Sequence, residues 1–329
     1  MLKDEVLSAL REAKTQRPVS GAELCRTLGV SRAAVWKAVE ALRREGYAIE
    51  AQSAVGYCLV DSPDRLDAAE LRAAPPAVVG REVVCLETVD STNDEVKRRA
   101  LAGAQAGLVV TADTQTGGKG RRGRSFQSLP GKGLYLSVLL KPNVPLEQIS
   151  QLTAWTAVAV CRAIESVCGV RPQIKWPNDV LVDGKKLCGI LTEMGVEAET
   201  GALGYVVVGM GTNVSQTTED FGPELRDIAT SLHLLSVKVT RQELALALIA
   251  ELDRLNAVFP HGRETYLAEY KERCVTLGRE VKIVRPDREE WVAAEGLTEE
   301  FQLVVRHPDG TEETVSSGEV SVRGLLGYQ

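Results

Sequence analysis

The sequence contains no long apolar run and no pair of cysteines at Cys-x-x-Cys spacing. A membrane-spanning helix needs about 18 or more apolar residues, so we expect no membrane contact. The first residues lack the apolar core of a signal peptide, which favours a cytoplasmic protein. The seven cysteines are odd in number and scattered, so we expect buried thiols rather than a zinc site or a disulfide framework.

Histidine is also scarce, and negative charge exceeds positive charge. The three histidines, His233, His261 and His307, lie far apart and belong to no local pattern of a triad or a metal site. The net charge of −6 argues against a broadly basic surface that would bind nucleic acid. Residues 1–60, however, carry nine Lys and Arg against seven Asp and Glu, a net charge of +2. A small basic module on an acidic body favours local contact with DNA.

The 329 residues, 44% of them apolar and 26% charged, predict two or three globular domains. The first sixty predict three helices, over residues 3–14, 20–28 and 32–44. Ser20 and Glu23 have the spacing of a capping box, Gly29 can supply a left-handed turn, and Ser31 can cap the third helix. Two helices joined by such a turn are typical of a helix-turn-helix.

The start of the third helix is the part that would enter the major groove of DNA. The candidate DNA-binding residues are Ser31, Arg32, Ala33 and Lys37. Residues 47–50 and 57–60 alternate like two strands, which predicts a β-hairpin wing that rests on phosphates. A small helical bundle used for protein contacts is the alternative, and the nearly neutral charge of this segment leaves it open.

Prolines between residues 61 and 78 flank a short helical stretch and predict a linker, with the domain boundary after residue 62. Beyond it, apolar strand-like runs cluster at residues 83–86, 108–112, 134–140, 174–176, 180–182, 187–192 and 205–209. Helical segments are predicted at residues 93–101, 149–168 and 244–258. Few β-α-β alternations occur, so an α+β fold is expected rather than a doubly wound sheet.

The segment from Asp90 to Glu95 has two interpretations. Thr92 and Glu95 have capping-box spacing, and a helix cap alone would explain the hydroxyl. Alternatively, Ser91, Thr92 and Asn93 offer hydrogen bonds to a neutral polar ligand at a helix N-terminus.

The strongest local signal is a loop in which residues 118–124 hold four cations and three glycines. Unpaired charges are costly to bury, and glycine gives a mobile backbone, so the loop is suited to fold over a polyanion. Its Lys and Arg residues would offset repulsion between an anionic nucleophile and a phosphate. A basic surface loop or an RNA-binding tract is the alternative, although only Phe126 could stack on a base.

Two further motifs lie on predicted strands. The segment from Lys175 to Asp179 has two interpretations: it is a strand end and a turn with Trp176 packed below, since Pro-Asn-Asp favours a turn, or Lys175 points from the sheet edge into a pocket. In the second case a carboxylate or α-phosphate would supply the anionic partner that Lys175 needs. Glycines at 189, 209 and 211, followed by Asn213, mark strands that a ligand or another backbone could approach closely. The Gly-x-Gly here lacks the third glycine and the helix of a dinucleotide fold, so a Rossmann interpretation is rejected.

These motifs, in this order, resemble the bifunctional biotin–protein ligase and biotin operon repressor family along nearly the whole chain. The resemblance implies a winged helix-turn-helix over 1–62 and a catalytic domain with a mixed, class II synthetase-like sheet over 63–273. A small SH3-like β-barrel is expected over 274–329, where Asp309-Gly310 is a strong hairpin turn.

The resemblance also implies a reaction. Biotin and ATP would form biotinyl-5′-AMP with Mg²⁺, and the biotinyl group would pass to a lysine of a biotin carboxyl carrier protein. The adenylate would promote a homodimer that binds operator DNA. Lys175 and Arg121 are the implied catalytic residues, and the implied ligand-binding residues are Ser91, Thr92, Asn93, Gln115, Gly118, Lys119, Gly120, Arg121, Lys175, Gly189, Gly209, Gly211 and Asn213.

Lys119 departs from the family, which usually has Arg at this position, so the bidentate fork of a guanidinium is lost there. Three other functions stay open on the sequence. They are a lipoate-type ligase on the same fold, a transcription factor with an inactive catalytic domain, and a ligase whose N-terminal domain binds no DNA.

Overall fold

The computed structural model describes residues 2–13, 18–52, 55–61, 63–72, 77–196, 202–285, 289–316 and 319–322. It divides into two compact units, Met1–Arg65 and Leu66–Gln329. The boundaries at residues 62 and 273 stay predictions, and residue 62 lies outside the described residues. No described helix is both long and apolar enough to cross a membrane. All seven cysteines are free thiols, four of them buried and three partly exposed.

The described residues of the first unit form three helices and a hairpin. Its elements are α1 (Leu2–Glu12), α2 (Gly21–Leu28), α3 (Arg32–Arg44), β1 (Ala48–Gln52) and β2 (Gly56–Asp61). Gly29 ends α2 at φ 65°, and Ser31 Oγ accepts the Ala34 N–H at 3.3 Å to cap α3. Ser20 Oγ accepts the Glu23 N–H at 3.1 Å, but no described bond returns to Glu23, so half of the predicted capping box is present. The predicted helix-turn-helix and antiparallel hairpin are confirmed.

The second unit is built on a seven-stranded sheet of order β3-β4-β5-β9-β8-β7-β6. Its strands are β3 (Val83–Val89), β4 (Val109–Gln115), β5 (Gly133–Leu140), β6 (Gln173–Lys175), β7 (Asp179–Val182), β8 (Lys185–Val196) and β9 (Leu203–Asn213). Only β3 and β4 are parallel, and every other pair in this sheet is antiparallel. The sheet is therefore mixed, as predicted.

Helices cover both faces of this sheet because its strands alternate apolar side chains between the two sides. Val138 and Val208 pack in the main core with α7 (Gln151–Cys168) and α8 (Arg241–Val258). Leu139 and Val207, the sequence neighbours of these two residues, pack in a second cluster with Val96 of α5 (Thr92–Leu101). The short helical stretch expected in the linker is α4 (Ala68–Leu71). Two described helices were missed in the sequence, the short α6 (Leu146–Ile149) and α9 (Arg263–Arg273).

The C-terminal strands form an antiparallel sheet of order β13-β12-β11-β10-β14. They are β10 (Arg279–Val284), β11 (Glu289–Leu297), β12 (Leu303–Arg306), β13 (Glu312–Val315) and β14 (Glu319–Val322). Closure of this sheet into an SH3-like barrel stays a prediction. Trp176 attaches the end of β6 to this region, since its indole N–H donates to Phe301 O at 2.9 Å and its backbone N–H to Thr276 Oγ1 at 3.0 Å.

Candidate active site and candidate DNA interface

Four of the predicted motifs converge on two adjoining cavities beside the mixed sheet. The smaller has a volume of about 60 Å³ and the larger about 250 Å³. The residues that line both are Gly120, Arg121, Phe126, Asn178 and Lys186. Segments more than 100 residues apart in the chain therefore meet around one pair of cavities.

The smaller cavity holds most of the predicted ligand-binding residues. Its wall includes Ser91, Thr92, Asn93, Gln115, Lys119, Gly120, Arg121, Gly189, Gly209 and Gly211. Lys175 and Asn213 line the larger cavity instead, together with Gly120 and Arg121. Gly118 lines neither; a Cβ there would lie 2.4 Å from Phe126 O, so this glycine lets the loop fold back on itself.

A buried hydrogen-bond network fixes the polar wall of the smaller cavity. Gln115 Oε1 accepts the Thr92 backbone N–H at 2.8 Å and lies 3.1 Å from Thr92 Oγ1. Ser137 Oγ lies 2.7 Å from Thr92 Oγ1 and 2.6 Å from Asn93 Oδ1. Buried hydroxyl and amide groups that bond one another hold a single orientation. This wall therefore presents neutral, oriented polar groups.

The helix-cap interpretation of Thr92 is wrong. Helix α5 begins at Thr92 with Ser91 at the N-cap, and no side-chain capping bond is present. The Glu95 carboxylate pairs with Arg98 and Arg99 instead of reaching back to the cap. The Thr92 hydroxyl hydrogen-bonds Gln115 and Ser137 instead, so it belongs to the cavity wall rather than to a cap.

The strand glycines make room for side chains. A Cβ on Gly209 would lie 2.1 Å from Asn93 Oδ1, and a Cβ on Gly211 would lie 2.6 Å from the Phe126 ring. Asn93 is also held by its amide, which donates to Glu193 Oε2 at 2.8 Å. The strands are approached closely at these glycines, as predicted, and the approaching groups are the side chains of Asn93 and Phe126.

The larger cavity has a polar, charged part and an apolar part. Lys175, 4% exposed, ends the edge strand β6, and Asp179 begins β7 opposite it. The apolar part of the wall consists of Phe221, Leu225, Ile228 and Ala229. Asn213 and Gln216 lie in the same wall, where Gln216 Nε2 donates to Asn213 Oδ1 at 3.1 Å. One cavity thus offers cations and an apolar surface to the same ligand.

The glycine-rich loop is attached to three different elements. Lys119 Nζ lies 2.6 Å from Asp94 Oδ2 on α5. Arg121 Nη1 donates to Asn178 Oδ1 at 3.0 Å, and Asn178 Nδ2 in turn donates to Ile190 O on β8 at 3.0 Å. Arg122, at φ 56°, donates to Val284 O of β10 at 3.4 Å. The loop therefore crosses the point where the two cavities meet.

Three family models match the chain in order. An HTH domain matches residues 5–58, the Biotin/lipoate A/B protein ligase family residues 85–213, and the biotin protein ligase C terminal domain residues 276–323. A biotin–[acetyl-CoA-carboxylase] ligase of Mycobacterium tuberculosis is 32% identical over 73% of this chain and 88% of its own length. The chain belongs to the biotin/lipoate A/B protein ligase family.

One further relative and one solved structure are also similar to this chain. The bifunctional ligase/repressor BirA of Bacillus spizizenii is 43% identical over 65% of this chain, and the match spans 66% of that relative. The biotin protein ligase of Aquifex aeolicus in complex with biotin and ATP has a TM-score of 0.62 and 29% identity, covering 74% of this chain and 99% of its own. The resemblance in the sequence motifs is therefore confirmed.

Sequence reasoning did not name Lys186 as a residue of this ligase-family site. Lys186 lines both cavities, and its Nζ lies 2.7 Å from Asp179 Oδ1. The adjacent Lys185 lines neither cavity and reaches Arg226 O at 3.5 Å. Successive strand residues point to opposite faces, but the sequence does not say which face carries the site.

The predicted DNA-binding residues lie together on the first unit. Ser31, Arg32, Ala33 and Lys37 are all exposed at the start of α3. The opposite face of α3 is buried in the core of this unit through Val35, Ala38, Val39 and Leu42. Trp36, 54% exposed beside Lys37, was missed by the sequence analysis. The exposed face of α3 thus combines two cations with one large apolar ring.

Proposed function

We propose that this chain is an ATP-dependent biotin–protein ligase and a biotin-responsive transcriptional repressor. It would join biotin and ATP into biotinyl-5′-AMP with release of pyrophosphate, and then pass the biotinyl group to a lysine of a biotin carboxyl carrier protein with release of AMP. The observation that carries this proposal is the pair of cavities that share a cationic wall at Arg121 and Lys186. Two anionic reactants placed in them would meet at that wall.

The smaller cavity supports biotin over lipoate. Its wall contains the buried hydroxyl of Thr92, the buried amide of Asn93 and the half-buried amide of Gln115, which suit the neutral hydrogen-bonding ureido ring of biotin. The dithiolane ring of lipoate has no such groups, so it would gain none of the hydrogen bonds that biotin can make with this wall, each worth about 0.5–1.5 kcal/mol. A lipoate-type activity is therefore the weaker candidate.

The larger cavity supports a nucleotide. Its apolar wall at Phe221, Leu225 and Ile228 suits a base, while Lys175, Lys186 and Arg121 suit phosphates. Attack of the biotin carboxylate on the α-phosphate brings two anions together, so positioning and charge neutralisation carry most of the catalysis. No covalent enzyme intermediate is required.

The residues present fit Mg²⁺ carried in with ATP. Among the described residues no three His, Cys, Asp or Glu side chains form a metal-binding group, but the Asp179 carboxylate lines the larger cavity. Mg²⁺ is usually held by one or two carboxylates together with substrate phosphates. When bound, it would neutralise phosphate charge, and Asp179 is the side chain that would hold it.

The repressor half of the proposal rests on the helix-turn-helix unit. Arg32 and Lys37 on the exposed face of α3 suit the major groove, and the β1–β2 hairpin would rest on phosphates. A homodimer formed with biotinyl-5′-AMP would present two such helices to an inverted repeat. Since the chain would use ATP and bind operator DNA, the cytoplasmic location belongs to the same proposal.

The test uses the full chain with MgATP, a carrier domain, and either biotin or lipoate. We expect pyrophosphate release with biotin and a mass increase on one carrier lysine. No pyrophosphate with biotin, or a carrier modified only by lipoate, would contradict the ligase proposal. A gel shift on DNA fragments that contain inverted repeats, with and without biotin and ATP, tests the repressor half, and equal binding in both conditions would contradict it.

A further inference from the structure

The ion pair between Lys119 and Asp94 joins the glycine-rich loop to the helix that lines the smaller cavity. Lys119 Nζ lies 2.6 Å from Asp94 Oδ2 and 2.8 Å from Oδ1. Asp94 follows directly after Ser91, Thr92 and Asn93, in the first turn of α5. We infer that Asp94 is a positioning residue that holds the loop over the cavity and so retains the activated intermediate.

The pair continues into a line of alternating charges that returns to the cavity wall. Lys97 Nζ lies 3.3 Å from Asp94 Oδ1 and 2.6 Å from Glu193 Oε1. Glu193 Oε2 then accepts the Asn93 amide at 2.8 Å. Loop position and the orientation of Asn93 are thus linked through one chain of contacts from Lys119 to Asn93.

Asp94 stays ionised over a wide pH range. Partial burial opposes its charge, but the hydrogen bonds and charges of Lys119 and Lys97 outweigh burial and lower the pKa of Asp94 below its ordinary value. Both side chains of the Lys119–Asp94 pair are partly exposed, 44% and 23%. A pair of this kind shifts an equilibrium by up to about fivefold, so the expected effect on the loop is modest and measurable.

Besides the attachments of Lys119 to Asp94, Arg121 to Asn178 and Arg122 to Val284, the loop has bonds that close it on itself. Gly120 N–H donates to Arg124 O at 2.7 Å, and Phe126 N–H donates to Gly118 O at 2.8 Å. These bonds move with the loop and do not fix its position on the sheet. Asp94 ties the loop to α5, whereas Asn178 ties it to the opposite side of the cavities.

Limited trypsin digestion measures the anchoring directly, because the loop contains Arg121, Arg122 and Arg124 in every variant. Cleavage tracks the open population when opening and closing are fast. We expect Asp94→Asn to speed cleavage at these arginines by about two- to fivefold, and high salt to narrow the difference from wild type. Asp94→Glu should restore most of the protection.

Glu95→Gln is the matched control, since Glu95 is the next residue of the helix and pairs with Arg98 and Arg99 rather than with the loop. Its cleavage rate should equal that of wild type. Lys119→Met removes the pair from the loop side and should speed cleavage similarly. Adding Asp94→Asn to Lys119→Met should give no further increase. An unchanged rate in folded Asp94→Asn, or a full further increase in the double variant, would overturn the inference.

The consequence for catalysis rests on the proposed function and has its own readout. Release of biotinyl-5′-AMP without a carrier protein should rise by about the same factor in Asp94→Asn. If wild type formed no biotinyl-5′-AMP, the ligase proposal would fail while the cleavage rates would still decide the loop anchor. Faster cleavage with unchanged release would show that the anchor does not retain the intermediate, and that part of the inference would be wrong.

Discussion

Lys186 Nζ lies 2.7 Å from Asp179 Oδ1, and this ion pair stands where the two cavities adjoin. Asp179 starts β7 and Lys186 lies near the start of β8, so the hairpin between these strands positions both side chains. The pair holds a cation at the place where a carboxylate and a phosphate would approach each other.

Replacing Lys186 tests that assignment. Lys186→Ala should slow adenylate formation by about 100-fold or more, the scale of removing one preorganised electrostatic group. Lys185→Ala, on the adjacent residue that lines neither cavity, should leave the rate unchanged. Single-turnover pyrophosphate release gives both rates, and equal rates in the two variants would remove Lys186 from the site.

Lys175 should also be needed for the first step. It is 4% exposed at the end of the edge strand β6, and it lines the larger cavity only. We expect Lys175→Ala to lower the rate of adenylation by about two powers of ten while transfer from preformed biotinyl-5′-AMP changes less. A normal adenylation rate in the folded variant would contradict its catalytic role.

Replacing Gly209 by a residue with a side chain should weaken ligand binding. In Gly209→Ala the new methyl would sit 2.1 Å from Asn93 Oδ1 and displace the carboxamide from the cavity wall. We expect KM for biotin to rise about tenfold, because a displaced buried hydrogen bond costs about 1–3 kcal/mol. Gly296→Ala is the control, since a Cβ there meets nothing within 4 Å. Steady-state kinetics on both variants compares them, and an unchanged KM in Gly209→Ala would count against the role of Asn93.

Arg32 should act on DNA alone. It is exposed at the first position of α3, in a unit whose core does not include it. Arg32→Ala should weaken operator binding about tenfold, as expected for loss of one base or phosphate contact, and leave ligase activity intact. Fluorescence anisotropy with labelled operator measures the binding. Equal loss of both activities would mean that the change disturbs folding.

His307 should make the C-terminal sheet sensitive to pH. His307 hydrogen-bonds Glu290 at 2.8 Å and Glu313 at 3.0 Å. Both bonds, the one with Glu290 more strongly, raise the pKa of His307 above its ordinary value of 6.5. A raised folded-state pKa adds stability below about pH 6.5, and this stability is lost as pH rises through the higher value.

Thermal unfolding at pH 6 and pH 8 checks this prediction. We expect the Tm to fall more between pH 6 and pH 8 in wild type than in His307→Gln. His261→Gln is the control, since His261 is exposed and makes no described hydrogen bond or ion pair. Equal losses in wild type and His307→Gln would show that the two glutamates do not bind the imidazolium.

The sequence predicted the strands and the helix-turn-helix because these depend on local signals. Apolar runs marked β3 to β9, and the Ser20, Gly29 and Ser31 positions marked the helix ends. Which of two adjacent lysines enters the site depends on strand register and on which face carries the cavities, and neither is a local property. The same limit explains Thr92, whose hydroxyl bonds Gln115 and Ser137, 23 and 45 residues away.

The parallel pairing of β3 with β4 has a consequence for insertions and deletions. Thr88 is paired with Thr114 and Val89 with Gln115, so both strands end at the same edge, directly before the residues that line the smaller cavity. A single residue inserted within β4 would turn Gln115 to the other face of the sheet. The chain could still form a folded sheet but would lose part of the wall of the smaller cavity. Strand β4 should therefore tolerate changes of side chain far better than changes of length.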